Sequence, residues 1–204
     1  MQSYKKNRNF ANFFSETMII SDLHTALLPY LEATPRGQVF VLTDANVASY
    51  YPTIVGEFPH YIVQAGDSHK SLHSVEMVWQ FLLENGATRD ALLLNVGGGM
   101  ITDLGGFVAA TYMRGIRCVN IPTSLLAMVD ASTGGKTGIN ILGVKNLVGT
   151  FTMPLATLVD PSFLDTLPAE ELLSGYAEML KHGLIADPTH FNALLALELQ
   201  MPYS

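Results

Sequence analysis

The chain alternates between short runs of apolar, largely β-branched residues and longer segments whose apolar positions recur at helical spacing. Residues 38–43, 60–64, 91–96, 117–121 and 155–159 read as strands. They are apolar on both faces, as strands of a parallel sheet covered by helices must be. Between them, helical patterns fall near 22–33, 45–55, 69–85 and 102–113. The third is the clearest, with Leu72, Val75, Val78, Trp79 and Leu82 on one stripe and Gly86 placed to end it. Strand–helix alternation of this kind predicts an α/β fold, a Rossmann-like doubly wound domain. After Asp160-Pro161 the pattern is helical only, with Pro168 in a first-turn position and Glu170 and Glu171 just behind it. A boundary near 160 separates an α/β domain over 1–160 from the first helices of an all-helical domain over 161–204. That second piece is incomplete, because about forty residues are too few to bury a core of their own.

Composition narrows the class. With 49% hydrophobic and 14% charged residues, the chain is too apolar to stay disordered. Eleven Lys and Arg against 18 Asp and Glu give a formal charge of −7, which disfavours nucleic acid as a partner. Between Ala91 and Met128, the most apolar region, Asp103, Arg114 and Arg117 interrupt any stretch long enough to span a bilayer, so no membrane partner is expected. Lys5, Lys6 and Arg8 hint at a targeting segment, but the residues after them lack a continuous apolar core. A lone cysteine, Cys118, excludes an internal disulfide and fits a reducing compartment. A cytoplasmic protein is expected.

Candidate chemistry begins at Gly97, Gly98 and Gly99, which follow a strand and precede a helix carrying Asp103, Gly105 and Gly106. Residues without Cβ allow close approach to a ligand, and a helix N-terminus favours a pyrophosphate. The bland alternative is a turn needed only for packing. Thr43-Asp44-Ala45-Asn46 also ends a strand; Asp44 there could accept from ribose hydroxyls or simply cap a helix. Between Arg114 and Asn146 lie Thr123, Ser124, Asp130, Gly134-Gly135-Lys136, Asn140 and Lys145-Asn146, set among small and apolar residues. Cations concentrated there in an acidic chain suggest a pocket for phosphate or carboxylate. A plain Asp130–Lys136 ion pair is the alternative. Gly134-Gly135-Lys136 lacks the spacing of a Walker loop, which disfavours ATP binding of that kind. Glu178, Lys181 and His182 share one helix face; Glu178 and His182 could be half of a metal site or part of a solvated surface.

Taken together, the segments 97–110, 113–115, 122–130, 134–140, 145–147, 163–168 and 175–181 resemble, in order and spacing, the 3-dehydroquinate synthase family. The resemblance implies an NAD- and divalent-metal-dependent lyase, with zinc or cobalt as the metal. It implies conversion of 3-deoxy-D-arabino-heptulosonate 7-phosphate to 3-dehydroquinate and phosphate by transient oxidation, phosphate elimination, re-reduction and aldol closure. It assigns Asp44, Asn46, Asp67 and Lys70 to the adenosine half of NAD. Gly98, Gly99, Asp103, Thr123, Ser124, Lys145, Phe163 and Thr166 would complete that pocket. Asp130, Lys136, Asn146 and Lys181 would face substrate, with Lys136 and Asn146 near its phosphate. Arg114 would reach a neighbouring subunit's site, implying a homodimer. Glu178 would be a metal ligand, and His182 would not, because the family takes two histidine ligands from further along.

Two residues depart from the family pattern: Asp67 stands where Glu is usual, and Ser124 where Thr is usual. The resemblance places the histidine ligands and the basic groups for the substrate carboxylate beyond Ser204. These 204 residues are therefore expected to be inactive alone and to belong to a longer enzyme. Three alternatives stand beside the synthase: a related sugar-phosphate cyclase, a metal-dependent polyol dehydrogenase, and a non-catalytic NAD-binding module of this length.

Overall fold

A computed structural model describes residues 16–197. The expectation about Lys5, Lys6 and Arg8 lies outside the described residues. Among the described residues, eight strands and seven α-helices follow one another: β1 (Glu16–Ile19), α1 (Leu23–Glu32), β2 (Val39–Asp44), α2 (Ala45–Tyr50), α3 (Pro52–Gly56), β3 (His60–Val63) and α4 (Leu72–Glu84) come first. Then follow β4 (Leu92–Gly97), α5 (Gly99–Thr111), β5 (Arg117–Pro122), β6 (Lys136–Ile141), β7 (Val144–Phe151), β8 (Ala156–Val159), α6 (Ala169–Ala186) and α7 (Pro188–Ala196).

Six strands form one sheet in the order β1-β8-β5-β4-β2-β3, and every pairing in it is parallel. The all-apolar strands predicted this, since alternate residues are buried against opposite layers. Phe40, Leu42 and Leu93 pack with Val75, Val78 and Leu82 of α4 and Ile101, Leu104 and Val108 of α5. Val39, Val41, Leu92, Leu94, Val119, Ile121 and Leu158 face Leu27 of α1, Val47 of α2 and Phe163. Each such side chain contributes about 1.5–3 kcal/mol when fully buried.

The strand order reverses between β2 and β4, because β3 lies outside β2 while β5 lies on the other side of β4. Strand carboxyl ends beside such a reversal are where open α/β sheets hold ligands. Here those ends are Asp44, Gly97 and Pro122, with Gly97 paired to Pro122 in register.

Several elements differ from the sequence-based expectation. Residues 45–55 form two short helices, because Pro52 lacks the N–H needed to continue α2 and instead opens α3. α5 starts at Gly99 rather than near 102, so Gly99 is its first residue and Gly98 its N-cap. Residues 136–151, read only as a polar, small-residue segment, form the antiparallel hairpin β6–β7. β1 is an edge strand of four residues, too short to give a periodic signal. Residues Ala127–Ala131 form a π-helical turn, which no spacing rule announces.

Candidate functional site

Two clefts open at the carboxyl ends of the sheet. The first, about 490 Å³, is lined by the ends of β2, β4 and β5, by Gly66, Asp67 and Lys70 after β3, and by the start of α6. The second, about 480 Å³, lies between the π-turn and the β6–β7 hairpin. Asp103 of α5 lines both. Volumes of this size suit small-molecule or cofactor sites.

The floor of the first cleft is the N-terminus of α5. Gly98 precedes the helix in extended conformation, and the first helical N–H groups have no intrahelical acceptor. The close fit explains two of the three glycines by packing. A Cβ on Gly97 would lie 2.7 Å from Cβ of Ile101, and one on Gly99 would lie 3.0 Å from Cβ of Ala131. Thus the packing requirement and the open helix end coexist. At the end of β2, Asp44 is buried and caps α2, accepting from the N–H groups of Asn46 at 2.9 Å and Val47 at 3.1 Å. On the far wall, Tyr51 Oη lies 2.6 Å from Thr166 Oγ1, and its ring meets Phe163 edge-on at 4.8 Å.

Ten of the twelve residues expected around a cofactor line this cleft: Asp44, Asn46, Asp67, Lys70, Gly98, Gly99, Asp103, Thr123, Ser124 and Thr166. Phe163 is buried behind the wall under Tyr51, and Lys145 sits outside with its Nζ 2.9 Å from Asp67 Oδ2. Tyr50, Tyr51, Met100 and Glu171 also line the cleft and escaped the sequence reading. Tyr50 and Met100 sit on α2 and α5, Tyr51 joins α2 to α3, and Glu171 lies in the first turn of α6, positions that packing or helix formation explains equally well.

Lys70, only 4% exposed, donates to Asp103 Oδ2 at 2.8 Å and Asn146 Oδ1 at 2.6 Å. Burial raises the Asp103 carboxyl above its ordinary value, and the Lys70 ammonium only partly opposes this. The Asp67 carboxyl is instead held low, chiefly by its hydrogen bond from Lys145.

The second cleft brings together Asp103, Asp130, Lys136 and Asn146 with Thr137 and Thr150. No ion pair joins Asp130 to Lys136 among the described residues, so the simple pairing alternative is not what the structure adopts. A buried polar seam anchors the π-turn that carries Asp130. Asn95 Nδ2 donates to Asn120 Oδ1 at 2.9 Å, and Thr157 Oγ1 donates to the Ser132 carbonyl at 3.0 Å. Lys136 begins β6, and the hairpin lies against α5 so closely that a Cβ on Gly106 would come within 2.5 Å of Thr137 Cγ2.

Beside Asp130, α6 presents Glu178, Lys181 and His182. Lys181 Nζ contacts Glu178 Oε1, and His182 Nε2 lies 3.0 Å from the same oxygen and 3.9 Å from Asp130 Oδ1. Lys181 lowers the Glu178 carboxyl and is itself raised by it. One ligand atom each from Asp130, Glu178 and His182 falls within 4.8 Å of the others, close enough to surround one cation. Arg114 stands apart. It follows α5 at the end opposite the clefts, about 20 Å along the helix axis, in a left-handed conformation with φ +70°.

Comparison with known proteins gives a consistent picture. Residues 60–174 match the family described as 3-dehydroquinate synthase N-terminal. A 3-dehydroquinate synthase of Parabacteroides distasonis is 43% identical over 196 residues, covering 93% of this chain and 56% of that protein. Among solved structures, a 2-epi-5-epi-valiolone synthase of Streptomyces hygroscopicus subsp. jinggangensis with NAD+ and Zn2+ bound superposes with a TM-score of 0.78 at 31% identity. That match covers 95% of this chain and 54% of that one. A 2-deoxy-scyllo-inosose synthase complexed with carbaglucose-6-phosphate, NAD+ and Co2+ follows at 0.71 and 26%, covering 83% and 48%. The chain spans about half the length of the curated relatives it matches.

Proposed function

Given that the chain belongs to the 3-dehydroquinate synthase family, we propose that it is the cofactor-binding part of a 3-dehydroquinate synthase. The reaction is conversion of 3-deoxy-D-arabino-heptulosonate 7-phosphate to 3-dehydroquinate and phosphate, in the cytoplasm. The observation that carries this reading is the pair of clefts sharing Asp103, one bordered by a helix N-terminus and a strand-end carboxylate and one lined by Lys136 and Asn146.

The first cleft fits NAD on its own geometry. An uncapped helix N-terminus favours the pyrophosphate, and the strand-end Asp44 keeps a carboxylate beside the cleft for ribose hydroxyls. Asn46, Asp67, Lys70, Gly98, Gly99, Asp103, Thr123, Ser124 and Thr166 would complete the pocket, with Lys145 at its rim and Phe163 supporting its wall. The donor set of Glu178, Asp130 and His182 fits a zinc- or cobalt-type ion, combining carboxylate oxygen with imidazole nitrogen. Glu178 is the ligand we assign from this chain, and the neighbouring imidazole of His182 makes it a second candidate. When bound, NAD supplies a reversible hydride acceptor and the metal a Lewis acid.

The chain's own residues then bind and orient. Lys136 and Asn146 hold the substrate phosphate in the second cleft, where a cation and an amide donor act on a group that gains charge as it departs. Asp130 and Lys181 flank the reacting carbons, Asp130 from the anchored π-turn and Lys181 from α6. Arg114, remote from its own clefts, is suited to serve the site of a second subunit. Exposed Leu147, Val148 and Phe151 on the hairpin supply apolar surface for a homodimer contact.

Calorimetry tests the reading. The protein binds NAD+ and, separately, inorganic phosphate; Lys136→Ala loses the phosphate and keeps the NAD+. A protein that binds NAD+ but produces net NADH from glycerol-like alcohols is instead a polyol dehydrogenase, and the proposal fails.

A further inference from the structure

The ammonium of Lys70 sits in the wall between the two clefts, and its contacts give it an influence on the one it does not line. An ammonium can only donate, so the atom of Asn146 facing it at 2.6 Å is the carbonyl oxygen. Because the amide is planar, this turns the donating Nδ2 away from Lys70. Among the described residues, that NH2 has no hydrogen-bond partner, and Asn146 lines the second cleft. The Asn146 backbone is already fixed: its φ is +54°, and its N–H donates to Asn140 Oδ1 at 3.0 Å. Asn140 is held in turn, donating from Nδ2 to the Asp67 carbonyl at 2.9 Å and from its backbone N–H to the Lys70 carbonyl at 2.7 Å. What remains free is the flip of the Asn146 side-chain amide, and Lys70 decides it.

We propose that Lys70 is a positioning residue for the second cleft: by occupying Asn146 Oδ1, it presents the Asn146 NH2 as a donor to the phosphoryl oxygens of a sugar phosphate. With the opposite flip, a carbonyl oxygen would face the anion and repel it. Asp103 assists by holding the Lys70 ammonium at 2.8 Å from its own carboxylate, so the side chain cannot swing away from Asn146. The inference deepens the reading of the second cleft as a phosphate site and rests on it.

The test is a double-mutant cycle with inorganic phosphate as the probe, titrated calorimetrically without NAD+ so that no cofactor contact enters. Lys70→Met and Asn146→Ala are each expected to weaken phosphate binding roughly tenfold or more, the scale of a hydrogen bond to a charged group. The double variant binds no more weakly than Asn146→Ala alone. If Lys70→Met costs as much in the Asn146→Ala background as in the wild type, Lys70 acts only through its charge and the inference is overturned. Phosphate binding that ignores Lys70→Met overturns it alone, whereas a wild type that binds no phosphate overturns the second-cleft reading with it. A second readout needs no folding assumption about variants: the side-chain amide resonance of Asn146 shifts when phosphate is added to the wild type, and no such shift contradicts the proposal. Should Lys70→Met not fold because Asp103 loses its cation, Lys70→Met/Asp103→Asn removes both charges and is compared with Asp103→Asn, with the same expectation.

Discussion

Replacing Gly99 with valine is expected to remove dinucleotide binding while leaving the fold standing. Gly99 is the first residue of α5, and a Cβ there would lie 3.0 Å from Cβ of Ala131, a tight contact that needs the backbone of α5 or of the π-turn to give by a few tenths of an ångström. Its φ is not in the left-handed region, so no backbone strain accompanies a side chain. Alanine at this position adds only the Cβ that meets Ala131 and no atom beyond it. Valine adds two methyl groups at that Cβ, beside Ala131, which lines the same cleft, and so crowds the helix end where a pyrophosphate would lie. The loss combines the helix-end attraction, about 1 kcal/mol, with a hydrogen bond to a charged oxygen, about 1.5–3 kcal/mol. A total of about 2.5–4 kcal/mol is a roughly 60- to 700-fold weaker Kd. The assay is calorimetric titration of NAD+ into wild type, Gly99→Ala and Gly99→Val, each with its thermal unfolding curve. Gly99→Ala should bind with a smaller loss than Gly99→Val. A folded Gly99→Val that binds NAD+ as tightly as wild type would refute the reasoning.

The other predictions concern stability, pH and the metal. Gly105→Ala would put a Cβ 1.9 Å from the buried Asn95 Oδ1, so it should cost about 1–3 kcal/mol by urea unfolding; an unchanged midpoint would show that α5 can move off β4. Asp67 has its folded carboxyl lowered by Lys145, so its contribution is present above the ordinary carboxylate range and lost as pH falls through the lowered value. Asp67→Asn should therefore flatten part of the acid limb of a stability–pH curve below about pH 4, by a modest amount because the pair is partly exposed. An unchanged limb would contradict the pairing. Glu178→Gln should weaken Co2+ binding, followed by the visible absorption of the ion, by about tenfold or more; equal binding would remove Glu178 from the donor set.

The parallel sheet was legible because its strands are apolar on both faces, and helix α4 because Leu72, Val75, Val78, Trp79 and Leu82 form one stripe. The first cleft was legible for a related reason: Asp44 and the Gly97–Gly98–Gly99 run mark strand ends, where topology concentrates ligands. The hairpin β6–β7 was not legible. Its outer face is exposed and mixed in character, and its two-residue turn, Leu142-Gly143, has positive φ at both positions although the first is a leucine, which is not a usual turn former there. The Lys70–Asp103–Asn146 contacts join residues far apart in the chain, and no local pattern encodes which buried carboxylate a lysine will meet. For Glu178 and His182, helical spacing put both on one face, but only tertiary structure brings Asp130 beside them.

The central claim, that these clefts belong to a 3-dehydroquinate synthase, is tested most directly by turnover of the protein as purified from its source cells. Supplied with NAD+, Co2+ and 3-deoxy-D-arabino-heptulosonate 7-phosphate, it should release phosphate and form 3-dehydroquinate in equal amounts, with no net accumulation of NADH. Absence of phosphate release by a protein that binds NAD+, or steady accumulation of NADH, would contradict the account.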